Sequence, residues 1–280
     1  MIEILKETII DSIKILPFLF ITYLIMEYIE HKTSNKIRST IKKSGKWGPI
    51  IGSILGIFPQ CGFSVSATNL YVARVITLGT LISVYLTTSD EMIPILLTEK
   101  IPISQILFIL GIKLVIGIIA GLLIDFVVRK NKPVIEDEKI EEICEHEHCH
   151  CEESIVKSAL KHSLNILIYI FITTLIINCI IGIIGEEQIA NFVAQNVVLG
   201  PILAGLIGLI PNCASSVILT ELFIEKVINI PVLISGLSVN AGVGLLVLFR
   251  INKNVKENAK IISLLYIIGV ISGIILDFII

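Results

Sequence analysis

Long apolar stretches make up most of this chain, and the polar residues that interrupt them recur at matching places. The runs Ile13–Tyr28, Ile103–Val128, Leu164–Ile184 and Ile261–Ile280 approach or exceed the roughly 20 apolar residues that cross a bilayer as a helix. Trp47–Val72 is as long, but Pro59-Gln60-Cys61-Gly62 lies at its centre. Proline removes a backbone donor and clashes with the preceding turn, and glycine weakens the helix further. At about 1.5 Å per residue, two arms of roughly 12 residues each reach only half the hydrocarbon thickness. The pattern predicts a re-entrant hairpin, with a single kinked helix as the alternative. Gly200–Phe223 predicts the same around Pro211-Asn212-Cys213. Thr77–Leu97 and Asn229–Phe249 predict full crossings, broken midway at Thr87-Thr88-Ser89-Asp90 and Ser238-Val239-Asn240-Ala241-Gly242.

These interruptions belong to a duplication. Gly48–Ser83 and Gly200–Ser235 align without a gap at an offset of 152, pairing Pro59 with Pro211, Gln60 with Asn212, Cys61 with Cys213 and Ser64 with Ser216. The same offset carries Gly121–Phe126 onto Gly273–Phe278, and an offset of 151 lays Ser12–Leu16 on Ser163–Leu167. The expected fold is an all-α polytopic membrane protein of two repeats, each of about five helical pieces, with re-entrant or broken helices at Pro59 and Pro211. The first repeat is read as 1–128, a cytoplasmic loop rich in His, Cys and Glu as 129–155 and the second repeat as 156–280. A duplicated membrane unit with matching polar breaks is the signature of a secondary transporter, and the breaks point to the substrate site.

Composition agrees and charge adds topology. With 280 residues, 54% of them hydrophobic, and a mean hydropathy of +0.91, the chain is not a soluble domain. The first run lacks a small-residue cleavage site and precedes a basic stretch, so it reads as a retained anchor. The loop from His31 to Lys46 carries Lys32, Lys36, Arg38, Lys42, Lys43 and Lys46 without an acid, and Arg250–Lys260 is basic too. Both are expected on the cytoplasmic side, with both termini outside. Their counterparts in the other repeat, Gly185–Asn196 and Thr98–Pro102, are not basic. Basic loops in one half therefore face non-basic loops in the other, the pattern of an inverted repeat. The one basic run has this topological reading, so no nucleic-acid partner is expected. The expected surroundings are the lipid bilayer, and a homodimer is left open.

The candidate chemistry lies at the breaks. Backbone groups freed at membrane depth are tolerated where they line a cavity or bind something, and an intramembrane acid normally faces a cavity or a partner. The candidate transport site is Gln60, Cys61, Thr88, Ser89, Asp90, Glu91, Asn212, Cys213 and Asn240. One charge with several neutral oxygens and soft sulfur suits a divalent transition metal better than Mg²⁺ or Ca²⁺. For the cysteines the plainer reading is that they are small buried residues, which is how Cys179 is read. Lys113 either pairs with an acid such as Asp90 or snorkels, and His162 is expected at the cytoplasmic mouth of its helix. Asp125 and Asp277 recur at helix ends and are expected to anchor them at the interface.

Of the six cysteines, Cys144, Cys149 and Cys151 form a cluster with His146, His148 and His150 in the central loop. Six soft or borderline donors in eight positions suit Zn²⁺, Cu⁺ or Ni²⁺, but their spacing matches no closed zinc site. This is read as a metal-catching or sensing loop, with a merely solvated acidic linker as the alternative. No tightly bound cofactor and no enzymatic activity are expected; the metal is substrate.

At FPQCGFSVSATNLYVARVITLGTLISVYLTTSDEMIPILL (Phe58–Leu97) and LIPNCASSVILTEL (Leu209–Leu222) the chain resembles the ten-transmembrane heavy-metal exporter family. Its members are described as manganese transporters or arsenic-efflux permeases. The resemblance extends over the whole chain, and the PQCG and TSDE motifs carry it. It implies metal export across the bacterial cytoplasmic membrane with Mn²⁺ as the favoured ion. The positions matching the motifs are Pro59, Gln60, Cys61, Gly62, Thr88, Ser89, Asp90, Glu91, Pro211, Asn212 and Cys213. Three other readings stand beside it: arsenical efflux, a membrane thiol–disulfide relay through Cys61 and Cys213, and a metal sensor without flux. Against the relay, no Cys-x-x-Cys pair of the thioredoxin kind occurs.

Overall fold

The computed structural model describes residues 47–58, 61–89, 91–131, 155–184 and 199–280, and within 6–24 the helical residues 6, 8–10, 13–17, 19–21 and 23–24. Pro59, Gln60, Asp90, the basic loop 32–46, the loop cluster 144–151 and the side chain of His162 lie outside the described residues. Every described element is a helix, as expected of an all-α polytopic chain. In order they are α1 (Gly48–Gly56), α2 (Gly62–Val72), α3 (Leu78–Thr87), α4 (Met92–Thr98), α5 (Ile103–Asn131), α6 (Ile155–Ile184), α7 (Gly200–Gly208), α8 (Cys213–Ile224), α9 (Ile230–Val239), α10 (Gly244–Ile251) and α11 (Val255–Ile279). The duplication survives into these boundaries. α1 to α5 recur as α7 to α11, with four of the five starts displaced by 152 residues.

Local chemistry explains the boundaries. Pro49, Pro201 and Pro231 sit in the first turns of α1, α7 and α9, where a missing N–H costs nothing. Thr77 and Asn229 cap α3 and α9 by accepting from the N–H of Thr80 and Val232 at 3.2 and 3.1 Å. The helices α2 and α8 end in the same way. Arg74 and Lys226 each take φ 61°, and the next residue's N–H returns to Leu70 O or Leu222 O. This is the left-handed helix stop, formed here without its usual glycine.

The Pro-Cys segments form hairpins rather than kinked crossings. A Cβ on Gly48 would collide with Thr80 and one on Gly56 with Thr87, so α1 runs beside α3 in the same direction. Thr68 of α2 meets Tyr85 of α3, and α2 joins the start of α3 through a tight hydrogen-bonded turn, so α2 runs back along α3. The hairpin α1–α2 therefore begins and ends on one face, with Cys61 at its tip. On α7, a Cβ at Gly200 would meet Val232 and one at Gly208 would meet Gly236 and Val239, which repeats the arrangement for α7–α8.

The long helices connect the two hairpin mouths. α5 starts beside the α8 exit, where Gln105 shares a cavity with Lys226 and Asn229. It ends beside the start of α3, where Asp125 accepts from Gly79 N at 2.9 Å and from Thr77 Oγ1 at 2.7 Å. α11 runs the opposite way. It starts where Glu257 receives both guanidinium nitrogens of Arg74, at 2.8 and 3.1 Å, and ends where Asp277 accepts from Asn229 at 3.0 Å. The two recurrent aspartates thus hold the capped starts of α3 and α9.

Among the described helices of spanning length the broken pair α9–α10 is the most buried: Ile230–Ile251 has a mean hydropathy of 2.1 and is almost wholly enclosed. α5 and α11 instead expose ridges such as Leu107, Val115, Leu123 and Ile267, Ile271, Ile275, as lipid-facing helices do. Between hairpins and broken helices the contacts are exchanged: α2 packs on α10, and α8 packs on α4 through Met92, Leu96, Ile218 and Leu222. Small residues allow the closest crossings. A Cβ on Gly121 would meet Ser83 Oγ and lie 2.7 Å from Gly79 O, whereas one on Gly111 would meet nothing within 4 Å. Gly121→Ala should therefore lower the thermal unfolding midpoint of the purified protein, at a cost of about 1–3 kcal/mol. Gly111→Ala should raise it slightly, because alanine is the better helix former. Equal midpoints for the two variants would contradict the crossing.

Candidate functional site

The two hairpin tips meet. Cys61 Sγ and Cys213 Sγ are 3.1 Å apart, and both residues are 7% exposed. That separation exceeds the ~2.05 Å of a disulfide bond, so the sulfurs are in contact without being bridged. Their surroundings are apolar: Val65, Val243, Leu246 and Val247 belong to the same cluster. Each cysteine starts a helix, Cys61 as the N-cap residue of α2 and Cys213 as the first residue of α8. The positive ends of two half-helices therefore converge on the sulfurs, where they favour negative charge carried by the cysteine sulfur itself.

A matching hydroxyl ladder runs back from each tip. Ser64 Oγ donates to Cys61 O at 2.8 Å and Thr68 Oγ1 to Ser64 O at 2.7 Å. In the second repeat Ser216 donates to Cys213 O at 2.8 Å and Thr220 to Ser216 O at 2.7 Å. The first ladder continues to Tyr85, whose hydroxyl is 2.5 Å from Thr68 Oγ1 and donates to Gly244 O at 3.3 Å. Gly244 opens α10, and a Cβ on it would lie 3.0 Å from Ser64 Cβ. The first hairpin thus lies directly against the break of the second repeat.

The other expected site residues divide into two groups. Asn212 is 3% exposed, and its Nδ2 donates to Asn178 Oδ1 of α6, whose own Nδ2 donates to Thr8 at 3.1 Å. Thr88 and Ser89 are buried at the end of α3, their hydroxyls donating to Val84 O at 2.8 Å and Thr87 O at 3.0 Å. Asn240 is buried at the matching break, and its Oδ1 accepts from Gly242 N at 2.9 Å, closing a turn in which Gly242 has φ 53°. This oxygen, expected as a ligand, is engaged in shaping the break. Glu91 occupies the N-cap position of α4 without a side-chain capping bond, keeps 33% of its side chain exposed and lies 3.9 Å from Lys14. It faces the N-terminal helical residues 13–17 rather than the hairpin tips. Among the described residues no three His, Cys, Asp or Glu side chains cluster.

Two groups that the sequence left undecided or did not single out complete the picture. Lys113 does not snorkel: it is 0% exposed, and its ammonium donates to Thr88 O at 2.5 Å and Leu237 O at 3.0 Å. Arg74, Tyr71 and Glu257 close one hairpin mouth, with Tyr71 Oη donating to Glu257 at 2.5 Å. Burial works against the Arg74 charge, but the hydrogen bonds and the charge of Glu257 hold the guanidinium above its ordinary pKa. At the offset of 152 the other mouth has Phe223, Lys226 and Gln105 in those places, and all three line a cavity of about 450 Å³.

No curated protein and no solved structure matches the chain. A family model described as "Putative, 10TM heavy-metal exporter" matches residues 1–188. That match covers the first repeat, the central loop and the whole of α6, and it agrees with the helices of membrane-spanning length. This multi-pass membrane protein belongs to the ten-transmembrane heavy-metal exporter family.

Proposed function

We propose that the protein exports a divalent transition metal from the cytosol, with Mn²⁺ as the first candidate, by alternating access between two inverted repeats. The observation that carries this is the meeting of Cys61 and Cys213, 3.1 Å apart, at the tips of two matching hairpins. Opposite courses of α5 and α11 between the two mouths support the inversion. Binding at the interface of inverted repeats, on broken helices, is the arrangement from which a carrier exposes one site to each side in turn. In this reading 1–128 and 156–280 are the moving halves, in a bacterial cytoplasmic membrane. The loop donors Cys144, His146, His148, Cys149, His150 and Cys151 capture metal on the cytosolic side. Gln60, Asn212 and Asp90 complete the site around the sulfurs. Paired thiols favour a softer ion than Mn²⁺, such as Zn²⁺ or Cd²⁺, so the choice of ion is itself open to measurement.

The sulfur contact also favours a second reading, a thiol–disulfide relay. Closing the bridge would release two protons and two electrons, so it requires an electron acceptor in the membrane. One experiment separates the two readings. In a variant with Cys144, Cys149, Cys151 and Cys179 replaced by serine, the alkylation rates of Cys61 and Cys213 are measured in the reduced, purified protein with Mn²⁺, Zn²⁺, Cd²⁺ or no metal. Export predicts that a transported ion slows both rates together, at least tenfold. A relay predicts no protection by any metal and joint loss of both thiols on adding an oxidised quinone.

A further inference from the structure

Lys113 lies in the middle of α5, a helix otherwise apolar for most of its length, and is completely buried. Taking a charge to that depth is costly unless it meets compensating groups. Two of the compensating groups come from opposite repeats. Thr88 O lies at the C-terminal end of α3 and Leu237 O in the last turn of α9, so one ammonium joins the two helix breaks. The end of a helix leaves carbonyls without intrahelical donors and carries the negative end of the dipole. Two such ends pointing at one place form a cation site. The ammonium itself has no counterpart in the second repeat, for the residue matching Lys113 at the offset of 152 is Leu265.

We propose that Lys113 is a tethered cation, a positioning residue whose ammonium takes the place between the α3 and α9 ends that a small monovalent ion would otherwise fill. It holds the two breaks together without a dissolved ion, so the resting protein is indifferent to sodium and potassium. This role does not depend on which metal is exported. A merely structural lysine predicts loss on truncation whatever the salt, whereas a tethered cation predicts replacement by a free one. Lys113→Ala leaves space for about two water-sized particles beside the two carbonyls, enough for an alkali ion.

The test is the thermal unfolding midpoint of purified protein in sodium chloride, potassium chloride and N-methyl-D-glucamine chloride at equal ionic strength. Wild type and Lys113→Arg should give the same midpoint in all three salts. Lys113→Ala and Lys113→Ser should unfold lower in N-methyl-D-glucamine and recover by roughly 5 °C, saturably, in sodium or potassium. Lys113→Met, which refills the space with an apolar chain, should stay low in every salt. The proposal is overturned if the Ala and Ser variants have the same midpoint in all three salts, or if wild type shifts as they do. It is also overturned if neither small variant folds in cells, where potassium is plentiful, or if Lys113→Met matches wild type.

Discussion

Cells carrying the Asp90→Asn variant are expected to retain metal as fully as cells lacking the protein. In sequence Asp90 falls within the α3–α4 break, between Ser89, buried just after α3, and Glu91, the N-cap residue of α4. Near that break the described structure has a buried cation, Lys113, while Glu91 is partly exposed and turned to Lys14. A divalent ion arriving there needs negative charge to offset both its own desolvation and the neighbouring ammonium. At 4 Å, one unit charge is worth about 4 kcal/mol at an effective dielectric constant near 20, and more against a double charge. Losing it should cut export on the order of a thousandfold. The measurement is cellular metal content together with flux into inverted vesicles, on a variant shown to reach the membrane and to unfold at the wild-type temperature. Glu91→Gln is the control and should export at more than a tenth of the normal rate. Wild-type export by Asp90→Asn would remove this residue from the site.

The second large effect is expected at the closed hairpin mouth. Glu257→Gln leaves the Arg74 guanidinium, whose side chain is only 24% exposed, without its bidentate partner. Removing one member of a partly buried pair costs more than the few tenths of a kcal/mol of a surface pair and less than the 3–5 kcal/mol of a buried one; about 2 kcal/mol is expected. The loss should appear as a lower unfolding midpoint and as faster proteolysis of the turn at Arg74. Exchanging the charges, Arg74→Glu with Glu257→Arg, should recover part of the midpoint, and Lys226→Ala at the matching position should change it little. Equal effects of Glu257→Gln and Lys226→Ala would show that the ion pair contributes nothing specific.

The architecture is legible in the sequence to the extent that it is written locally or written twice. A proline in a long apolar run has few solutions at membrane depth, and its recurrence at Pro211 distinguishes a shared hairpin from a single irregularity. The caps at Thr77 and Asn229 and the breaks after Thr87 and Val239 follow from the same local chemistry. The meeting of Cys61 with Cys213 is legible only through the duplication, because nothing in either segment alone says that two tips 152 residues apart share a point. Asn178 is a residue the sequence reading passed over. A signal was present, since at the offset of 151 it falls opposite Glu27, polar against polar in apolar surroundings. Lys113 could not be placed because a lysine's reach allows both pairing and snorkelling, and only its burial decides between them. The Arg74–Glu257 pair was not foreseeable from the repeat, which puts Lys226 and Gln105 in those positions.

Those mismatched positions have a consequence for direction. A carrier made of two identical, oppositely placed halves would have equal energy open to either side, and its idle molecules would divide evenly between the two. This chain departs from that equality at many positions, and those that place a polar group against a different partner include Arg74 and Glu257 against Lys226 and Gln105, Lys113 against Leu265, and Tyr85 against Leu237. The backbone framework fixes which two shapes are available. On the alternating-access proposal the unmatched side chains set the ratio between them, and changing these residues toward one another should flatten the protein's preference before it harms its fold.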